Sequence, residues 1–316
     1  MANFAALVLL KSAENGNRGY WRIGAMWNLL GRMEEPTDWL VLGDSSGFRG
    51  FDPAVWQDAT GEKAINLSAT VQVVSAGYAM LLKGYIERFG APKAVIVIHT
   101  YDAWYREVDT LAVGQTPLWG IWENRSAGLF SIVQSAKILL TKIFPIYYSD
   151  TSLPSLVLRP YTIRFTANPL TIATNRARVA DNGFEPAPGT ETDSVVSDLA
   201  GHLRFVSRVA GRNVELSDVN KAALHQLGEL SDQYEFDIYL VNGPIHTNLN
   251  DDRDFQNHYS KLRQALTEEI GPFKRLHLLP GEPKTFETHQ LFNSIDHVTG
   301  ESAESYTRWL ADRVAR

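Results

Sequence analysis

Short runs of apolar residues alternate with stretches of helical periodicity along most of the chain. The runs hold four to six residues each and are rich in Val, Ile and Leu; they lie at 39–42, 64–67, 94–98, 236–241 and 275–279. Runs of this kind, separated by helices, are typical of a parallel sheet with both faces covered. Helical patterns follow at about 73–89, 217–230, 252–270 and 302–314. The pattern predicts a doubly wound α/β fold with a mainly parallel sheet, whose ligands bind at the carboxyl ends of the strands.

The segment 108–211 departs from this alternation. It holds seven of the 14 prolines, and its stretch 181–193 has the composition of a loop. We predict a large insertion between the third and fourth strands. The chain then divides into an α/β core at 1–107 and 212–316 and an insertion or cap at 108–211. Such an insertion either walls a binding site or packs on the core without touching the substrate.

The composition excludes several kinds of catalytic and binding site. The 316 residues contain no cysteine, which excludes Cys nucleophiles, thiolate zinc sites, iron–sulfur clusters and disulfides. With a formal charge of −6, the chain lacks the excess of basic residues typical of nucleic-acid-binding proteins, so we expect no nucleic-acid partner. No phosphate-binding glycine motif is present, and the sequence predicts neither a metal nor a cofactor.

Two apolar stretches bear on the location of the protein. The seven apolar residues at 4–10 are too few to span a membrane, which takes roughly 20 residues. They are either a short buried element or the stub of a longer N-terminal anchor. The stretch 129–148 is interrupted by Lys137, Lys142 and Pro145 and predicts an amphipathic helix. That helix either packs on the core or faces a membrane surface or a partner.

The residues most suited to catalysis lie at the two ends of the predicted core. Gly43, Asp44 and Ser45 follow the first strand directly, where a nucleophile is held at the edge of the sheet. Asp296 and His297 lie just before the last helix. Each motif alone is common in turns and helix caps. Together they are typical of a Ser–His–Asp relay.

These motifs resemble those of the SGNH/GDSL hydrolase superfamily. The matching segments are VLGDSSGFRGFDP, which begins at Val41, and DHVTGESAESYTRWLA, which begins at Asp296. The phrase GFRGFDP, with AINLS at 64–68, is most similar to exported SGNH-like proteins of cell-envelope acylation. These include the teichoic-acid D-alanylation and alginate O-acetylation proteins. The resemblance covers strands one to three and the C-terminus, about half of the chain.

The resemblance implies an SGNH or flavodoxin-like fold and a serine esterase or O-acyltransferase. Ser45 would be the nucleophile, His297 the general base and Asp296 the acid that orients it. The substrate would be an acylated glycan or another acyl ester, with acetyl the expected group. The resemblance further implies an exported, periplasmic or cell-envelope location, with an N-terminal membrane anchor, and a membrane acyltransferase as partner.

The chain also departs from the family pattern. The family places its Asp two or three residues before the His, so Asp296 needs a turn to reach the neighbouring ring, or another carboxylate serves. The family's Gly after the second strand is missing, and Tyr101 replaces its Asn after the third. An oxyanion hole then has to use the N–H of Ser45 or Ser46, the N–H of Thr70 and one side chain. Loss of one donor costs about 10²–10³ in rate, so we expect weak activity on generic esters.

Other residues near the predicted strand ends leave alternatives open. Asp44 is expected to brace the loop, and His246 either lines the site or is structural. His99 and Asp102 have no third ligand at a spacing typical of a metal site. Aromatic residues after the third strand either stack on sugar rings or form a hydrophobic seam; they are Trp104, Tyr105, Trp119 and Trp122.

Two alternatives to catalysis remain at the level of sequence. One is a catalytically lapsed SGNH-like module that binds a glycan or partners a membrane acyltransferase. The other is an unrelated α/β protein whose Gly-Asp-Ser is coincidental.

Overall fold

A computed structural model describes residues 21–123, 128–143 and 179–315. Five parallel strands form the central sheet in the order β2-β1-β3-β4-β6. They are β1 (Trp39–Gly43), β2 (Ala64–Asn66), β3 (Ala94–His99), β4 (Asp237–Asn242) and β6 (Leu276–Leu278). The predicted α/β fold with a mainly parallel sheet is confirmed, and its strand order is compatible with a flavodoxin-like fold.

Helices cover both faces of the sheet. Their bounds are α1 (Trp21–Arg32), α2 (Ser45–Gly50), α3 (Pro53–Thr60), α4 (Val74–Phe89), α5 (Thr110–Val113), α6 (Leu118–Glu123), α7 (Ile132–Ile143), α8 (Thr192–Val209), α9 (Asp218–Tyr234), α10 (Thr247–Asn250), α11 (Arg253–Ile270) and α12 (Gly300–Val314). Alternate residues of β1 serve the two layers: Leu40 and Leu42 pack with α1, α4 and α9, while Trp39 and Val41 pack with α3 and α12. Burial on both faces is the reason that the strands are continuously apolar.

A second, smaller sheet was not predicted. β5 (Ile245–His246) pairs in parallel with β7 (Thr285–Phe286) beyond the carboxyl ends of the main strands. With two residues each, these strands are too short to leave a periodic signal in the sequence. They fix the chain just after β4, close to the edge of the sheet where ligands are expected.

Part of the segment 108–211 packs on the sheet directly. The N–H of Asn66 at the end of β2 donates to the carbonyl of Asn182 at 2.8 Å. Gly183 has φ +86°, and a Cβ there would lie 1.7 Å from the Asn66 carbonyl oxygen. Only glycine permits this approach. Phe184 and Val195 then join the core on the α3 and α12 side. The stretch after residue 178 is therefore seated on the edge of the sheet.

The predicted amphipathic helix within 129–148 is present as α7, and its described side chains are mostly exposed. Ile138 is buried, whereas Ile132 is 89% exposed and Leu139 is 52% exposed. The stretch 4–10 lies outside the described residues, so its two alternatives stay open. In the part of the chain that the structure describes, no helix has both the length and the apolar character needed to cross a bilayer.

Candidate functional site

Asp44 is the centre of the hydrogen bonds that hold the loop between β1 and α2. One carboxylate oxygen accepts the backbone N–H and the hydroxyl of Ser46, at 2.9 and 2.6 Å. The other accepts the N–H and the hydroxyl of Thr100, which follows β3, at 2.8 and 2.9 Å. Gly43 makes the approach possible, since a Cβ there would lie 2.0 Å from the carbonyl oxygen of Ile98. Asp44 thus ties together the ends of the two strands at the switch point of the sheet, where ligands of such folds bind.

The donors around Asp44 keep its buried carboxyl ionised. Burial raises the pKa of this group, but hydrogen bonds from His99, Ser46 and Thr100 outweigh that effect, so the pKa of Asp44 lies well below its usual range. His99 Nδ1 lies 3.3 Å from the carboxylate and 3.1 Å from the hydroxyl of Tyr78. The negative charge of Asp44 therefore serves to hold the loop between β1 and α2 in place.

Ser45 and Ser46 have different environments. Ser45 is the first residue of α2 and is half-buried, and among the described residues none hydrogen-bonds to its hydroxyl. Ser46 is fully buried and donates both its N–H and its hydroxyl to Asp44. Of the two N–H groups considered for an oxyanion hole, that of Ser46 is therefore already paired with Asp44 in this structure.

Thr70 stands at the end of the loop that follows β2. This loop runs beside β1, where the N–H of Ala69 donates to the carbonyl of Gly43 at 2.8 Å. The hydroxyl of Thr70 is buried and has no partner among the described residues. Unpaired buried hydroxyls are uncommon in folded proteins and call for an explanation. Its position next to the Gly43–Ser45 loop makes Thr70 a free donor at the candidate site.

His297 reaches the same region from the C-terminal end of the chain. Its ring centre lies 6.5 Å from that of Phe48 on α2. Nδ1 is 2.8 Å from the amide oxygen of Asn293. Because an amide oxygen only accepts, Nδ1 carries the proton and Nε2 keeps a free lone pair. Burial, followed by the charge of Arg49, lowers the pKa of His297 to about 4, so the ring is neutral at pH 7.

Asp296 does not orient the ring of His297. Its Oδ1 lies 3.8 Å from Nε2 of His297, beyond hydrogen-bond distance. An acid that orients the ring binds Nδ1 and leaves Nε2 free, so Asp296 is also on the wrong side of the ring. The turn at 295–296 directs the carboxyl to the hydroxyl of Ser294 instead. Asn293, which the sequence did not single out, holds Nδ1 in its place. Burial, helped by the charges of Asp44 and Asp102, raises the pKa of Asp296 to about 7.

Tyr101 and α8 complete the polar side of the site. The Tyr101 hydroxyl lies 2.7 Å from Nδ1 of His202, so it is paired with α8 and not free to bind an oxyanion. Both residues line a cavity of about 10 Å³ together with Asp102, Asn242 and Asp296. This volume suffices for one water molecule. The polar groups of β3, β4, α8 and the C-terminal loop thus converge beside His297.

Three charged side chains lie beside Phe48 of α2. Buried Arg22 and largely buried Arg49 both bind Glu185, at 3.0 and 3.2 Å. Both guanidinium groups also lie over the ring of Phe48, at 3.9 and 5.1 Å. Burial, together with the charge of Arg49, lowers the pKa of Arg22 to about 9 despite the attraction of Glu185. Glu185 lies in the stretch that the sequence predicts only as a loop, which is why composition and periodicity missed it.

Two other sequence candidates have structural roles. His246 is buried, accepts the N–H of Asn248 at 3.0 Å and lies 2.9 Å from the hydroxyl of Thr288. Trp104 is buried against His99 and belongs to a hydrophobic seam.

The remaining aromatic candidates differ in exposure. Tyr105 stacks on Phe205 at 5.8 Å. Trp119 is 42% exposed and meets Trp27 edge-on. The side chain of Trp122 lies outside the described residues.

Comparisons with known proteins assign no family. The chain matches no protein-family profile. No curated protein is significantly similar to it in sequence.

Proposed function

We propose that the protein is an SGNH-like serine esterase or O-acyltransferase. The observation that carries the proposal is the meeting of two distant segments at the switch point of the sheet. Residues 44–49 and 293–297 lie together there, with the Phe48 and His297 rings 6.5 Å apart. An unpaired half-buried serine and a neutral histidine with a free Nε2 are the groups that acyl transfer needs.

The proposed reaction has two balanced steps. The Ser45 oxygen attacks the ester carbonyl while Nε2 of His297 takes the hydroxyl proton. The tetrahedral intermediate then collapses, and the same proton goes to the departing alcohol, which leaves an acyl group on Ser45. Water or a sugar hydroxyl attacks this ester in turn, and its proton passes through His297. Free Ser45 returns, and the product is an acid or a new ester.

The small number of unpaired hydrogen-bond donors predicts a low catalytic rate. The paired N–H of Ser46 and hydroxyl of Tyr101 leave Thr70 and the N–H of Ser45 for the oxyanion. The depressed pKa of His297 also weakens it as a base. Both features favour slow turnover or an acceptor that completes the site. An acylated cell-envelope glycan as substrate is supported by the sequence resemblance to acylation proteins.

The same hydrogen bonds support a second candidate function, a catalytically lapsed module that binds a glycan or partners a membrane acyltransferase. In such a module the donors of the loop bind Asp44 and not a substrate. The two functions differ in whether Ser45 is reactive.

Covalent labelling with a fluorophosphonate distinguishes them. We expect the probe to modify Ser45, as located by mass spectrometry of the peptides. S45A abolishes the label and H297A slows it at least about 100-fold, because the general base is lost. S194A, which removes an exposed serine of α8, is the matched control and labels like the natural chain. An unlabelled Ser45, or equal labelling of H297A, contradicts catalysis. Glycan binding that survives S45A then favours the lapsed module.

A further inference from the structure

One hydroxyl bridges two carboxyl groups beside His297. The Ser294 oxygen lies 2.8 Å from Oδ2 of Asp198 on α8 and makes a second short contact with Oδ1 of Asp296. A serine hydroxyl has a single proton and can donate it to only one of the two. The other contact is a hydrogen bond only if that carboxyl group carries a proton of its own. The geometry therefore favours one neutral acid in this pair.

The surroundings decide which acid is neutral. Asp198 accepts the N–H of Ile295 at 3.0 Å, lies 3.7 Å from Nε2 of His202 and is 34% exposed. Asp296 is 14% exposed, and among the described residues only Ser294 hydrogen-bonds to its side chain. Donors and water stabilise the charged form of a carboxyl group, and Asp198 has more of both. The charged and titratable groups that face Asp296 are Asp44, Tyr101, Asp102, Asp198, His202 and His297.

We propose that Asp198, carried by α8, holds Asp296 as a neutral carboxylic acid in mildly acidic solution. The proton of Asp296 is donated to Ser294, and the proton of Ser294 is donated to Asp198. The negative charges of Asp44 and Asp102 oppose ionisation of Asp296, and burial acts in the same direction. Asp198 is thus a positioning residue that acts through Ser294.

The charge of Asp296 matters because its carboxyl group lies 3.8 Å from Nε2 of His297. While Asp296 is neutral, it provides no counter-charge to a protonated ring, so the ring remains a weak base. When Asp296 ionises as the pH rises past 7, the new charge favours the protonated ring and strengthens the base. This consequence rests on the proposed function, whereas the charge state of Asp296 does not.

Infrared difference spectroscopy tests the charge state directly. Protein labelled with ¹³C-carboxyl aspartate is measured at pH 6, and the spectrum of D296N is subtracted. We expect a protonated-carboxyl band that disappears in titration with a midpoint near pH 7. In D198A the Ser294 proton becomes available to Asp296, so the band at pH 6 falls at least about fivefold. D193A removes an exposed acid from the same helix and keeps the band.

Two outcomes overturn the proposal. One is the absence of the band from the pH 6 difference spectrum of the natural chain, with D296N keeping its native circular dichroism. The other is an unchanged band in D198A that keeps its native circular dichroism. Where Ser45 also proves reactive, the pH profile of labelling moves to lower pH in D198A but not in D193A. An unreactive Ser45 refutes the proposed function and leaves the infrared result standing.

Discussion

Two aspartates of the candidate site have opposite charge states below pH 7. Asp44 accepts four hydrogen bonds from Ser46 and Thr100 and stays ionised, whereas Asp296 has a single hydroxyl neighbour and is neutral. Burial raises the pKa of both, and the number of donors decides the outcome. Neither arrangement can be seen in the sequence, because Thr100 lies 56 positions from Asp44, and Asp198, which accepts the hydroxyl of Ser294, lies 96 positions from it.

The shifted groups predict a pH dependence of stability. Asp296, with its pKa raised to about 7, contributes stability below pH 4 that is lost as the pH rises to 7. His297, with its pKa lowered to about 4, contributes stability above pH 6.5 that is lost as the pH falls to 4. The two effects oppose each other, at roughly 4 kcal/mol for Asp296 and roughly 3 kcal/mol for His297. We therefore expect the free energy of unfolding of H297Q to rise from pH 7 to 4.5, and that of D296N to fall.

Urea unfolding at pH 7, 5.5 and 4.5 measures these slopes. The natural chain contains both groups, so the pH dependence of its free energy of unfolding should lie between those of the two variants. H289Q removes a histidine that lies outside the candidate site and should follow the natural chain. Parallel slopes for D296N and H297Q contradict the assignment of the two shifts.

At the scale of elements, Glu185 fastens the segment after residue 178 to the candidate site. It pairs with Arg22 on α1 and Arg49 on α2, and its N–H donates to the carbonyl of Phe48. Arg22 also donates to the carbonyl of Gly183 at 2.6 Å. The segment therefore depends on two buried cations that share one anion.

Removal of this anion has a large expected cost. E185A removes the carboxylate that pairs with both Arg22 and Arg49 and should lower the free energy of unfolding by about 3–5 kcal/mol. E35A removes the partner of Lys63 in an exposed pair and should change it by less than about 1 kcal/mol. Thermal and urea unfolding compare the two. Similar losses of unfolding free energy in E185A and E35A would contradict a role for Glu185 in holding this segment in place.

The elements differ in how far sequence could predict them. The strands were predictable because burial on both faces makes them continuously apolar, and the bounds of β1 and β3 agree within two residues. β6 ends earlier than the predicted run at 275–279, since it pairs only with β4 at the edge. Ser45 and His297 were found because they follow strands or precede a helix. Asn293 and Glu185 in loops, and Asp198 on α8, were missed because long-range packing brings them to the site.

At the scale of the whole molecule, the last helix holds the far end of α2, the helix that begins at the candidate nucleophile. The hydroxyl of Thr307 on α12 accepts the N–H of Asp52 at 2.9 Å and donates to the carbonyl of Gly50 at 3.2 Å. Tyr306 on the same helix donates to the carbonyl of Asn242 at the end of β4. One helix therefore joins α2, α3 and β4.

Loss of the Thr307 hydroxyl tests this connection. T307V keeps the shape but leaves a buried N–H and a carbonyl unpaired, so stability should fall by about 1–3 kcal/mol. Amide hydrogen exchange should rise in both α2 and α12. T267V, on exposed Thr267 of α11, serves as the control and should change stability by less than about 0.5 kcal/mol. Faster exchange confined to α12 contradicts a connection between the two helices.

The hydrogen bond between Thr307 and Asp52 spans 255 positions of the chain. Contacts this distant close late, because the entropy of the long intervening loop must be overcome first. During synthesis the loop with Ser45 emerges well before His297 and α12. The growing polypeptide thus contains the proposed nucleophile before its proposed base has been made. Reactivity at Ser45 would begin only when the fold is complete.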